Sequence, residues 1–200
     1  MPHKLVNKHR QKIFGIGFHK TATTSLGAAL TQMGYRVCGG VGIRDPDIAA
    51  NAVSLVDAMV DEYDAFQDNP WPILYRHLDV HSPGSRFILT IRSPEAWIDS
   101  VVAHFSGDDT PMRTWIYGVG HPGGNEQIYQ DRYRRHNDEV REYFRNRPDD
   151  FLVMDITQGD GWEVLCSFLG KQRPVGKFPK INPRGNPSVA QGLCGTRRKS

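Results

Sequence analysis

Two rhythms alternate along the chain. Short apolar runs of strand length are separated by longer stretches whose apolar residues return every three or four positions. Ile13 to Gly17 is the first run, an apolar segment ending in glycine that reads as a buried strand. From Thr24 the spacing turns helical, with Leu26, Ala29, Leu30 and Met33 on one face and Gly34 as the stop. Pro46 to Glu62 predicts a second helix through Ile48, Ala52, Leu55, Val56 and Met59. Asp64 to Gln67 predicts a short strand, cut off by Asp68-Asn69-Pro70. Arg86 to Ile91, sequence RFILTI, is the clearest buried strand, rich in β-branched and aromatic residues. Ser93-Pro94-Glu95 follows at once, a capping serine with proline at the first helical position. The helix it opens carries Trp97, Ile98, Val101, Val102 and Phe105. Glu126 to Asn146 predicts a charged helix whose less polar side is Tyr129, Tyr133, Val140, Tyr143 and Phe144. Phe151 to Met154 is a third good strand, and Gly161 to Leu169 a short helix.

Strands alternating with helices predict an α/β fold of three layers, a mostly parallel central sheet flanked by helices on both faces. No repeat or low-complexity linker interrupts the pattern. Residues 1–200 are therefore expected to form a single domain, with 1–12 and 187–200 as flexible tails. Ligands of such sheets bind beyond the carboxyl ends of the strands. Both of the sharpest motifs lie there.

Composition narrows the classes without choosing among them. An apolar fraction of 38% and a charged fraction of 24% exclude a disordered or fibrous chain. The net charge of +3 suits an anionic ligand but is too small to argue for nucleic acid. Cys38, Cys166 and Cys194 are an odd number at spacings that suggest neither a disulfide framework nor a zinc site, so no metal is expected. No secretory pattern opens the chain and no apolar run approaches the roughly 20 residues of a membrane span. A cytoplasmic protein in a reducing compartment is the expectation, with no nucleic-acid or membrane partner.

The residues from Phe14 to Ser25, FGIGFHKTATTS, join the first strand to the first helix. Physically this is an anion cradle: the N–H groups of a loop and a helix start converge, and the helix dipole adds positive charge. Lys20 adds a full charge, and Thr23, Thr24 and Ser25 add hydroxyls in the first turn. It is not a Walker A loop, which requires glycine directly before the lysine, where this chain has His19.

The spacing is similar to the 5′-phosphosulfate-binding loop of sulfotransferases, usually Lys-Thr-Gly-Thr-Thr; Ala22 stands where that glycine belongs. Arg92 at the end of RFILTI and Ser100 two helical turns later resemble the arginine and serine with which the family binds the donor's 3′-phosphate. QDNPW, FILTIRSPEAWIDSV, RHN and ITQGDGWEVLCSFLG look like its small, single-domain branch, and the likeness runs from about Ile13 to Asn182. The resemblance implies a P-loop NTPase-like fold and transfer of a sulfuryl group from 3′-phosphoadenosine 5′-phosphosulfate (PAPS) to a small-molecule or carbohydrate acceptor. Adenosine 3′,5′-bisphosphate would be the product. It implies that His19, Lys20, Thr21, Ala22, Thr23, Thr24 and Ser25 hold the 5′ end of the donor, and Arg92 and Ser100 the 3′-phosphate. Lys20 would also act in catalysis.

For the base, aligning Pro70 with the proline of the family's Lys-Thr-His-x-Pro motif sets Asp68 on the catalytic histidine and Phe66 on the lysine. Some branches use a carboxylate as base, which fits Asp68; alternatively Asp68 caps the Asp-Asn-Pro turn. Rival bases are His19, expected to be protonated beside the donor, His104, expected at the surface or in packing, and His136, which could face the cleft but on a charged helix is expected to be exposed. Arg132, Arg134 and Arg135 read as a solvated helix face, and Trp71, Phe105, Trp115 and Tyr117 as either acceptor pocket or core. Gly107 to Asn125 reads as a mobile lid, and Arg184-Gly185 as a late basic loop over the donor. Two other readings stand: a P-loop nucleotide or nucleoside kinase, and a non-catalytic nucleotide-binding protein of the same fold. Acceptor and oligomeric state are left open.

Overall fold

The computed structural model describes residues 11–105 and 107–181. The elements run β1 (Ile13–Gly15), α1 (Thr23–Gln32), β2 (Val37–Cys38), α2 (Ile48–Val60), β3 (Ala65–Phe66), α3 (Tyr75–His81) and β4 (Arg86–Thr90). They continue with α4 (Pro94–Phe105), α5 (Pro111–Tyr117), α6 (Glu126–Phe144), β5 (Phe151–Met154) and α7 (Trp162–Leu169). The five strands form one sheet in the order β2-β3-β1-β4-β5. Every pairing is parallel, with Gly15 beside Ile88 and Thr90 beside Met154.

The alternation of side chains along each strand divides the core in two. Ile13, Ala65, Ile88 and Met154 face one layer, where they meet Leu26, Ala29 and Leu30 of α1 and Leu165 of α7. Phe14, Phe66 and Phe87 face the other, packed with Val56 of α2, Leu78 of α3 and Val140 and Phe144 of α6. Phe14 lies between Phe66 at 4.9 Å and Phe87 at 5.4 Å. A third apolar cluster joins α4, α5 and α6 through Phe18, Trp97, Met112, Ile116, Tyr117, Tyr129 and Tyr133. Because Phe18 belongs to the loop after β1, this cluster anchors the ground on which the first motif rests.

Three elements depart from the sequence reading. β2 is two residues long, too short for periodicity, and exists because Val37 and Cys38 pair with β3. α3 is a seven-residue helix with two buried side chains, Tyr75 and Leu78. The expected lid from 107 to 125 instead contains α5, with Met112, Arg113, Ile116 and Tyr117 buried. Its start is capped by Thr110, whose hydroxyl accepts the Arg113 N–H at 3.2 Å, and Gly118 at φ 80° ends it. Cys38 is disulfide-bonded where the cysteine count predicted no bridge, and Cys166 is a free, buried thiol. No helix among the described residues is long and apolar enough to cross a membrane.

Candidate functional site

A cavity of about 500 Å³ opens at the carboxyl ends of β1, β3 and β4. The loop after β1 reaches it by pressing against β4. Ile16 N–H still pairs with Ile88 O at 2.8 Å, and at Gly17 an added Cβ would lie 2.1 Å from Thr90 Oγ1 and 2.3 Å from Thr90 O. Only glycine permits that approach. The chain then turns through two left-handed residues, Lys20 at φ 66° and Ala22 at φ 67°. Ala22 thus occupies the position for which glycine is the usual choice, with the backbone conformation that glycine would adopt. α1 begins at once, and no side chain caps it. The first-turn N–H groups, which have no partner within the helix, remain for a ligand.

His19, Lys20, Ala22, Thr23 and Thr24 line the cavity from this loop. Asp68 lines it from the end of β3, and Arg92 and Ser100 from β4 and α4. Eight of the ten sequence-derived site residues therefore meet around one space. Thr21 and Ser25 do not, and the reason is hydrogen bonding elsewhere. The Thr21 hydroxyl donates to Phe18 O at 2.6 Å, so Thr90 is the donor in the 2.7 Å contact between their hydroxyls. Ser25 Oγ accepts the Ile181 N–H at 3.0 Å.

Asp68 also has a left-handed backbone, φ 72°, and its Oδ1 accepts the Asn69 N–H at 2.8 Å. Burial pushes its carboxyl above the ordinary range, and the Asn69 N–H and the Lys20 charge act in the opposite direction. A carboxylate raised toward neutrality is better matched to removing a proton. The motif lysine's position, Phe66, is fully buried against Trp71 at 4.4 Å, so nothing basic stands there.

The histidines resolve differently from the sequence reading. His19 is buried, and burial with the charges of Arg113, Lys20 and His104 lowers it to about 3, so the ring is neutral. The Asn69 amide lies 3.0 Å from Nδ1 and the Tyr117 hydroxyl 3.3 Å from Nε2. With Asn69 donating to Nδ1, the single ring proton sits on Nε2. His136 is buried away from the cavity; Nε2–H donates to Ile16 O at 2.8 Å and the ring stacks on Phe18 at 4.3 Å. It holds the loop and has no access to a substrate. His104 lies at the cavity rim, close to Phe105.

Three contributors escaped the sequence reading. Tyr133 of α6 grips the backbone of Arg92: its hydroxyl accepts the Arg92 N–H at 2.9 Å and donates to Arg92 O at 2.8 Å. Its ring stacks on Trp97 at 4.3 Å and 8°. Asn69 is buried at the cavity wall, and its Oδ1 has no hydrogen-bond partner among the described residues. Arg113 lines the cavity while almost wholly buried, its Nε donating to Gly120 O at 2.8 Å. No local motif marks Tyr133 or Arg113, and Asn69, though inside QDNPW, gave no sign of its role, because each acts across a long stretch of sequence. Of the aromatic candidates, Phe105 lines the cavity, Trp71 is core with Nε1–H donating to Gly39 O, and Trp115 lines a second cavity of about 430 Å³. Arg134 pairs with Glu95 at the surface, while Arg132 is half-buried over the Phe18 ring. Arg184-Gly185 lies outside the described residues.

Residues 12–122 and 110–186 match the model of the sulfotransferase domain. The chain belongs to the sulfotransferase family. The chain is also 27% identical over 150 residues to a protein of Aspergillus versicolor named Ava biosynthesis cluster protein M. That match takes in 62% of the chain and 56% of the relative, so the chain spans little more than half of the relative's length. In this member of the family an anion loop, a second arginine-serine pair and a carboxylate thus stand around one space.

Proposed function

We propose that the chain transfers a sulfuryl group from PAPS to a hydroxyl or amine of its acceptor. The observation that carries this reading is the meeting of two separate oxyanion sites in one cavity, Lys20 with the first turn of α1, and Arg92 with Ser100. A donor with a phosphosulfate at one end and a 3′-phosphate at the other fits that donor set; an ordinary nucleotide lacks the second group. The absence of glycine before Lys20 argues against a kinase.

When bound, the donor supplies an electrophilic sulfur, at which the acceptor displaces adenosine 3′,5′-bisphosphate. The chain's own residues position the partners and manage charge, as in phosphoryl transfer. Lys20 and the α1 amides neutralise the oxygens at the 5′ end, where negative charge grows as the bond breaks. Arg92 and Ser100 hold the far phosphate and so fix the axis of the donor. Asp68 accepts the acceptor's proton at a carboxylate oxygen. His19, neutral and buried, cannot compete for the proton at any ordinary pH. Asn69 ties the Asp68 turn to His19, and so to the anion loop.

Calorimetric titration with adenosine 3′,5′-bisphosphate tests the reading, with ADP and Arg92→Ala as controls. Tight binding of the bisphosphate, weak binding of ADP and a loss of about 2–5 kcal/mol in the variant are expected. Magnesium-dependent ADP binding that ignores Arg92 would overturn it in favour of a kinase.

A further inference from the structure

Donor recognition as proposed engages Lys20 and Arg92 and, among the described residues of the cavity wall, leaves Arg113 without a task. Arg113 is 4% exposed. A guanidinium held so far from water ordinarily has its donors matched by hydrogen bonds or carboxylates, because desolvation of an ion costs several kcal/mol. Here Nε is satisfied by Gly120 O and the guanidinium also acts on the Tyr129 hydroxyl, but Nη2 has no hydrogen-bond partner among the described residues. A carboxylate oxygen, Asp108 Oδ2, is 3.7 Å from Nη2, on a half-exposed side chain that also makes a 3.1 Å contact with Arg44. The face of the guanidinium lies over the Phe105 ring, with Cζ 4.7 Å from the centroid. Phe105 and Met112 both line the cavity beside it.

The balance of the cavity wall adds to this. Among the described residues that line it, Lys20, Arg92 and Arg113 face one carboxylate, Asp68. His19 adds no charge, being held neutral. Arg113 lies over Phe105, whose ring centroid is 4.9 Å from that of His19, and His19 bonds to Asn69, the residue after Asp68, so contacts link the guanidinium to the turn that carries the base. By that turn the acceptor must stand, since its nucleophile has to reach Asp68.

We propose that Arg113 is the acceptor-recognition residue, and that the acceptor carries a carboxylate that pairs with this guanidinium while its apolar body lies against Phe105 and Met112. The inference rests on the sulfotransferase reading of the cavity and goes beyond it in naming the acceptor class. A neutral acceptor would leave Nη2 with only the 3.7 Å contact to the half-exposed Asp108, which is also how the site would reject it.

The test uses protein saturated with adenosine 3′,5′-bisphosphate, titrated with 4-hydroxyphenylacetate and with its neutral amide under ligand-observed NMR. The acid is expected to bind about tenfold more tightly than the amide, the increment of one charge-assisted pair. Arg113→Gln should remove the preference and leave bisphosphate affinity unchanged. Arg113→Lys, which keeps the charge if the glutamine variant does not fold, should retain part of the preference. Equal binding of acid and amide to the unmodified protein, or binding of neither, overturns the proposal. So does a loss of bisphosphate affinity in Arg113→Gln as large as the loss for the acid, which would assign Arg113 to the donor. Failure of the bisphosphate itself to bind sinks the donor reading first, and is seen before any acceptor probe is added.

Discussion

Tyr133→Phe removes one oxygen atom and leaves the ring stacked on Trp97. That oxygen makes two hydrogen bonds to the backbone of Arg92, at 2.9 and 2.8 Å. A typical intramolecular hydrogen bond contributes about 1 kcal/mol net, and a partner left unsatisfied costs somewhat more. Arg92 is only partly buried, so water can recover some of the loss. The expected destabilisation is therefore about 2 kcal/mol, which for a chain of this size lowers Tm by about 4–8 °C. The functional effect should exceed what stability alone implies. The hydroxyl fixes the point from which the Arg92 fork leaves the strand, and an unfixed fork must be ordered at the moment of binding. Bisphosphate affinity should fall about tenfold, measured by calorimetry well below the variant's Tm. An unchanged Tm would refute the hydrogen-bond reasoning. A lowered Tm with unaltered affinity would refute the link between Tyr133 and the Arg92 fork.

Gly17→Ala forces a Cβ to within 2.3 Å of the Thr90 carbonyl oxygen, so it should cost at least about 3 kcal/mol, read as a drop in urea midpoint or failure to fold. Ala22→Gly relieves a left-handed alanine worth roughly 1–2 kcal/mol and returns about 0.4–1 kcal/mol of unfolded-state entropy, so a gain of about 0.5–1 kcal/mol is expected by thermal melting. Burial holds His136 at about 3 in the folded chain, below its ordinary 6.5, so the unfolded state binds the extra proton between these values. Stability from this group is complete above pH 6.5 and is lost as pH falls toward 3; His136→Gln should reduce the slope of stability against pH by about 1.4 kcal/mol per unit between pH 4 and 6. Turnover, assigned to Asp68, should fall with acid through a midpoint above the ordinary carboxylate value of 3.8, and Asp68→Asn should abolish the activity without lowering bisphosphate affinity.

The frame of this fold was legible wherever sequence and local physics agree. RFILTI followed by Ser93-Pro94 announced a buried strand and a capped helix, and Ala96 N–H does bond to Ser93 Oγ at 3.3 Å. Thr110-Pro111 and Gly118 spell the same start and stop for α5, but the surrounding glycines masked them and suggested a loop. The anion loop was legible because its donors are consecutive. What sequence could not display is which hydroxyls are already engaged: Thr21 and Thr24 look alike in the chain, yet only the first is tied to Phe18 and Thr90. His136 was misjudged for a related reason. On a helix rich in charge it read as exposed, and only the packing of α6 beneath the β1 loop buries it. Arg113 had no signal at all, since a buried arginine is defined by its surroundings.

α6 carries Tyr133 and His136 one turn apart, and they hold different things. One grips the backbone of Arg92; the other holds Ile16 O, at the entry to the anion loop. Under the proposed donor reading, a single helix thus works as a caliper whose two jaws set the binding points for the two ends of the donor. Selection among nucleotides then depends on how far apart their anionic groups lie, besides how many they have. Changes to α6 that tilt it would reset that gauge without touching any residue of the cavity wall, while changes confined to α5 would alter acceptor choice and leave the gauge alone.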